Sequence, residues 1–106
     1  MTVTETIKKL QEHFNPEAAT GLNKILQLNL SGDEGGKWAL KIANQACELI
    51  PGGVEKPDLT LSLADKDWIA IVEGKLNPMT AYMTGKLKAN GDIALATRIA
   101  SIFGLK

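Results

Sequence analysis

The chain has 106 residues and is poor in the side chains from which active sites are usually assembled: one cysteine, one histidine and five aromatic residues. A lone Cys47 excludes an internal disulfide and leaves a thiolate metal site without partners. Its place in "ACELI", inside an expected strand, predicts a small buried hydrophobe and not a nucleophile. With His13 the only imidazole, zinc has no constellation of ligands to rest on. A cationic imidazole near the end of the first helix is favoured by the helix dipole in any case. Twelve basic and twelve acidic side chains cancel, so no large overall field is available to recruit nucleic acid or an anionic membrane. Among the aromatics only Tyr82 is expected at the surface, too little for a base-stacking platform. No apolar run reaches the length of a signal peptide or a membrane span. These absences predict a soluble, cytoplasmic protein with no cofactor, no nucleic-acid partner and no stable membrane insertion. The length predicts a single domain over residues 1–106.

What is present is clear periodicity. Thr2-Val3-Thr4-Glu5 is a capping box, and Val3, Ile7, Leu10 and Phe14 then recur at helical spacing with lysine, glutamine and glutamate between them. Asn15-Pro16 predicts a short second helix, with Asn as cap and Pro at the first helical position, closed by Gly21. The period then changes to two. Leu26, Leu28 and Leu30 alternate with polar residues, and after "GDEGG" so do Trp38, Leu40 and Ile42. This predicts an antiparallel hairpin with one wet and one covered face. "QACELI" continues the meander to Pro51-Gly52-Gly53, and Leu59, Leu61 and Leu63 mark a fourth strand after a crossover loop. Asp65 is expected to cap the helix "DKDWIAIVEG", which Gly74 closes. Asn77-Pro78 starts another, containing Met79, Tyr82 and Met83 and ended by Gly85. "KLKAN" predicts a fifth strand with Leu87 and Ala89 inward and Lys86 and Lys88 toward water. Asp92 caps a last helix, Gly104 closes it, and Leu95, Ala96, Ile99, Ile102 and Phe103 form its apolar face. Strands with one apolar face and helices with apolar stripes give a two-layer α+β sandwich.

A search for catalytic groups returns little. The three Gly-Lys pairs (Gly36-Lys37, Gly74-Lys75, Gly85-Lys86) lack both the upstream glycine and the following Ser or Thr of a phosphate loop. Asp33-Glu34 falls in a solvent-facing turn, and Asp65 with Asp67 in a helix first turn, where acids are favoured structurally. Neither setting offers the burial that raises the pKa of a general acid. The chain is therefore expected not to be an enzyme. What stands out instead is an excess of apolar helical surface in the C-terminal half, read either as core or as the wall of an apolar pocket.

Residues 57–103, "PDLTLSLADKDWIAIVEGKLNPMTAYMTGKLKANGDIALATRIASIF", resemble the sterol carrier protein 2 domain family. Asp58, Asp67-Trp68, Gly74-Lys75, Asn77-Pro78 and above all "GKLKANGD" carry the likeness. "GKWALKI" and the preceding helices extend it by pattern over nearly the whole chain. The resemblance implies a five-stranded sheet of order 3-2-1-4-5 with about five helices over one face, and an apolar tunnel between the layers. It also implies non-catalytic binding or transfer of an elongated lipid: a fatty acid, a fatty acyl-CoA or a sterol-like molecule. Carried onto this chain, the tunnel wall comprises Trp68, Ile71, Val72, Met79 and Tyr82, together with Met83, Leu95, Ile99, Ile102 and Phe103. The helices between the fourth and fifth strands are expected to form a crossover that makes those strands parallel. The chain ends Phe103-Gly104-Leu105-Lys106, without the Ser-Lys-Leu-type peroxisomal signal of many eukaryotic members. A segment closing the tunnel beyond the last helix is expected to be missing. The alternative function is a protein-interaction or dimerisation module with a closed tunnel, acting as a homodimer or as an accessory to a larger enzyme of lipid metabolism.

Overall fold

The computed structural model describes residues 1–104, so the Leu105-Lys106 terminus considered above lies outside the described residues. Helix α1 (Val3–Glu12) starts where the capping box places it. The Thr2 hydroxyl accepts from the Glu5 N–H at 3.2 Å, and the Glu5 carboxylate accepts from the Thr2 N–H at 2.9 Å. The Thr2 N–H, with the Thr2 hydroxyl beside it, holds the Glu5 carboxyl below the usual carboxylate range. Strands β1 (Lys24–Ser31), β2 (Gly36–Ala43) and β3 (Ala46–Pro51) form the meander. The β2–β3 turn places Asn44 and Gln45 at φ 53° and 58°, two successive left-handed residues, as in the tight turns that match strand twist. Strand β4 (Leu59–Ala64) follows a crossover and pairs in parallel with β1.

The rest of the chain is α2 (Asp65–Val72), α3 (Pro78–Met83), β5 (Lys88–Gly91) and α4 (Ile93–Phe103). The sheet order is β3-β2-β1-β4-β5, and the fold is the expected α+β sandwich. Among the described residues it has four helices, where about five were expected. The segment after Asn15-Pro16 is a run of tight turns closed by i→i+3 hydrogen bonds, with Asn15 still accepting from the Glu17 and Ala18 N–H groups.

Two further expectations are corrected. Strands β4 and β5 are adjacent but antiparallel, Leu59 opposing Gly91 and Ser62 opposing Lys88. A single crossover helix would deliver the chain to the far end of β4. Here two helices in succession, of eight and six residues, carry it out and back, so β5 begins beside the end of β4 from which the chain left. Asp65, in turn, is not the cap of α2. That position belongs to Ala64, which has no capping side chain. The Asp65 carboxylate is buried and accepts from the Glu34 N–H at 3.0 Å, fastening the β1–β2 loop. A Cβ at Gly32 would stand 2.4 Å from its Oδ1, so this loop packs onto the carboxylate only because residue 32 has no side chain.

The face of the sheet under the helices carries Leu26, Leu28, Leu30, Leu40, Ile42, Leu59, Leu61 and Leu63, all buried. Val3, Ile7 and Leu10 of α1 close over it together with α2 and α4. The buried Trp68 indole N–H donates to Thr6 Oγ1 at 2.7 Å, and that hydroxyl donates to the Val3 carbonyl, so the one polar atom of this ring is satisfied inside the core. Cys47 is half-buried on edge strand β3, and burial pushes its thiol up to about 11, far from the range of a reactive cysteine.

The "GKLKANGD" stretch is explained by local geometry. Gly85 ends α3 at φ +82°. Gly91, at φ +112°, lies so close to the Asp58 carbonyl that a Cβ would fall 2.4 Å from that oxygen. Asp92 pairs with Lys24 at 3.2 Å and caps α4 by accepting from the Leu95 N–H at 3.2 Å, and its pKa is lowered first by Lys24 and then by that cap. Asp58 knits three strands at the same place. It exchanges main-chain and side-chain bonds with Ile25, and its carbonyl accepts from the Asp92 N–H.

Candidate functional site

The two layers do not close completely at the β4–β5 side of the sheet. A cavity of about 170 Å³ lies there, floored by Leu61 of β4 and by Leu87 and Ala89 at β5. Trp68 and Ile71 of α2 form one side, and Ile93, Ala96, Thr97, Ile99 and Ala100 of α4 form the other. Pro78, Met79 and Tyr82 of α3 make the rim. The space exists because three of these positions are alanines. Ala96 and Ala100 are one helical turn apart on α4, and Ala89 is short on the sheet side. A leucine at any of them would occupy volume that close-packed interiors normally fill.

The lining bears no acid or base. Its nearest polar atoms are mostly engaged elsewhere: the Thr97 hydroxyl donates to the Ala94 carbonyl at 2.8 Å, and the Trp68 N–H points to Thr6. The rim is apolar and exposed. Met79 is 61%, Tyr82 50% and Ile93 50% accessible, unusual values for large hydrophobic side chains clustered round one opening. Helix α3 can present Met79 and Tyr82 because it is short and buries only Ala81. It is held at its start by the Asn77 side chain, which accepts from the Met79 and Thr80 N–H groups at 2.8 and 3.3 Å.

Of the ten wall positions expected from the sequence, Trp68, Ile71, Met79, Tyr82 and Ile99 line this cavity. Val72 and Phe103 border a separate groove at the C-terminal ends of α1, α2 and α4, alongside Lys9, His13 and Glu73. Leu95 and Ile102 are packed into the core, 2% and 0% exposed. Met83 is 78% exposed and lies outside the cavity. Sequence reasoning did not name Leu61, Leu87, Ala89, Pro78, Ile93, Ala96, Thr97 or Ala100 as wall. The available signal was the Ala96/Ala100 spacing of four within an otherwise bulky apolar helix.

Residues 5–104 match the SCP-2 sterol transfer family. The chain belongs to that family. Among curated proteins it is similar to Hydroxysteroid dehydrogenase-like protein 2 of Xenopus laevis, 37% identical over 106 residues, covering 94% of this chain and 24% of the relative. It is likewise similar to Sterol carrier protein 2 of Homo sapiens, 31% identical over 103 residues, covering 94% of this chain and 19% of that protein. The chain thus spans about a quarter or less of these two relatives. Among solved structures, palmitated SCP2L2 from Aedes aegypti superposes with a TM-score of 0.81 at 24% identity, over 97% of this chain and 95% of that one. The two chains therefore share their fold over 97% of this one. No described helix is long and apolar enough to cross a membrane.

Proposed function

We propose that residues 1–106 act as one lipid-binding domain, holding an elongated apolar molecule (a fatty acid, a fatty acyl-CoA or a sterol-like lipid) with one end in the alanine-walled cavity, and that the chain itself catalyses nothing. The observation that carries this reading is an uncharged cavity with an exposed apolar rim. A filled core has no use for such a rim, and an enzyme would need a charged or nucleophilic group in the cavity. A cavity of 170 Å³ accommodates a group of about benzene size, as apolar cavities of about 150 Å³ do. A longer chain therefore emerges between Met79, Tyr82 and Ile93. Each methylene withdrawn from water contributes about 0.8 kcal/mol, enough over a long acyl chain to exceed the costs of association. The family's name as a sterol transfer family and the palmitated Aedes relative support the choice of ligand class.

Native and denaturing mass spectrometry of the purified chain, followed by titration with fatty acids, acyl-CoAs and a sterol, tests the proposal. A bound lipid that is displaced by one of these classes is expected. A protein that is empty as isolated and indifferent to the whole panel contradicts it.

The greater length of the relatives favours a second reading, in which the domain serves as an accessory to a larger enzyme of lipid metabolism. Covalent fusion to such an enzyme, or co-purification with one at fixed stoichiometry, is its expected signature. A homodimer built on Ile99 or Ile102 would need the helix to turn over, since both are buried.

A further inference from the structure

The sheet face turned away from the helices is not evenly open. The loop at Gly53-Val54 closes over one part of it. There the Val54 N–H donates to Gln27 Oε1 at 2.8 Å, and Gln27 and its cross-strand neighbour Ala39 are buried. Beyond Gln27 the face drops into a groove of about 420 Å³, lined by Asn29 and Ser31 of β1, Ser62 and Ala64 of β4, and Lys86 and Lys88 at β5. Strand register sets this arrangement. Ser62 stands between Asn29 and Lys88 on its two neighbouring strands, and Asn29 continues the row to Lys37 on β2. Short side chains make the floor, and the two lysines stand along its β5 edge.

We propose that this groove binds a phosphate group. Every polar side chain in it can donate a hydrogen bond, and no carboxylate lines it. Asn29 Oδ1 already accepts from Gln27 Nε2 at 3.0 Å, which leaves the Asn29 amide nitrogen as the end available to a ligand. The Ser31 and Ser62 hydroxyls add two further donors. Among the described residues the ion pairs are Lys24–Asp92 and Lys75–Glu73, so Lys86 and Lys88 keep their charge for a ligand. Lysines alone would not carry this reading, since an edge strand needs them for its own protection. An amide and two hydroxyls set on the floor beside them serve an anion, and serve an edge not at all.

The groove and the apolar cavity lie back to back. Strand β5 is the edge of the sheet, and the residues there alternate: Lys86 and Lys88 face the groove, whereas Leu87 and Ala89 floor the cavity on the opposite face. A single edge strand separates the two sites. Among the ligand classes proposed above only a fatty acyl-CoA carries phosphates, on a long flexible arm beyond its thioester. The phosphate therefore has two sources: the CoA end of an acyl-CoA seated in the cavity, or a free phosphate. The first rests on the cavity reading, and the second does not.

Titration of the intact chain with inorganic phosphate, CoA, palmitate and palmitoyl-CoA, read by amide NMR and calorimetry, tests the proposal. Inorganic phosphate should shift the Asn29, Ser31, Ser62 and Lys88 amides saturably, and less so as salt rises. Lys86→Gln and Lys88→Gln should weaken phosphate binding about fivefold each. Ser62→Val keeps both lysines but fills the floor, and should weaken it at least about tenfold. Palmitate affinity and the thermal melt should stay at wild-type values in all three variants, which separates the groove from the cavity and from the fold. Palmitoyl-CoA binding weakened by the same variants supports the site and makes acyl-CoA its source. A phosphate response that the acyl chain does not strengthen supports the site with free phosphate as the source. The absence of saturable shifts with phosphate, CoA and palmitoyl-CoA, in a protein that binds palmitate, would overturn the proposal and leave the cavity reading standing. Ser62→Val binding phosphate as tightly as wild type would also overturn it, since the lysines would then act only as diffuse charge. A phosphate response in a protein that ignores palmitate would support the groove and contradict the cavity reading alone.

Discussion

The two sides of the sheet use the same leucine alternation but are filled differently. On the β1–β2 side, Leu26, Leu28, Leu40 and Ile42 are 0% exposed, and even the small Ala19 is fully enclosed. On the β4–β5 side, the helices above the leucines offer Ala96 and Ala100, and the sheet offers Ala89 at its edge. There a gap survives with a hydrophobic rim around it. Hydrophobic patterning sets which face is covered, while side-chain volume at a few positions sets whether the cover is complete. One half of the molecule is a filled core, and the other is a core with a gap of about 170 Å³.

The largest effect that can break the comparison is a deletion on the filled side. Leu28→Ala should lower stability by about 3–5 kcal/mol in urea unfolding, while lipid stoichiometry per folded molecule is retained. The comparison becomes sharper when one substitution is made on both sides. Ala19→Leu should overpack and lower stability by about 1–3 kcal/mol. Ala100→Leu has a cavity to enter and should change stability by less than about 1 kcal/mol, yet weaken fatty-acid affinity at least tenfold by isothermal titration. Equal stability losses at the two positions would show that the gap cannot accept a side chain.

Smaller still is the cap of α3. Asn77→Ala should cost about 0.5–2 kcal/mol and raise hydrogen exchange in α3 without affecting that in β1 and β2.

The smallest expected effect is acid sensitivity of the helix starts. The Glu5 and Asp92 carboxyls are held below their ordinary values, so the unfolded chain binds their protons first. Their stabilisation is complete above the ordinary carboxylate range of about pH 4 and is lost as pH falls through the lowered folded-state values. Glu5 is exposed, Asp92 partly so, and both are screened by solvent, so the shift in unfolding midpoint should be slight, weaker in salt, and absent from a Glu5→Gln, Asp92→Asn double variant.

Much of the fold was legible because local chemistry and periodicity agreed. The leucines of β1 and β4, the Thr2–Glu5 box and the Asn77 and Asp92 caps all specify what they form. The orientation of β5 was not legible, because it depends on how two short helices return the chain and not on any residue in the strand. Asp65 was misassigned since a carboxylate at a helix start looks like a cap whether it serves its own helix or a loop 31 residues away. At the site, the helical phase of α2 and α4 found Trp68, Ile71 and Ile99. It could not separate them from Leu95 and Ile102, each about one helical turn from Ile99, because the difference lies in what the facing element leaves unfilled. Alanines were passed over since a small side chain marks a cavity only when its neighbours fail to fill the space. Met83 was grouped with Met79 and Tyr82 by sequence, whereas α3 buries only Ala81 and turns Met83 to solvent.

The central claim is that the vacancy on the β4–β5 side receives an acyl chain. Methyl-detected NMR during titration with a saturated long-chain fatty acid measures it most directly. The account predicts saturable shifts of the Met79, Ala89, Ala96, Ile99 and Ala100 methyls, with Leu28 and Ile42 unmoved. Shifts centred on the β1–β2 side, or none at saturating ligand, would contradict it.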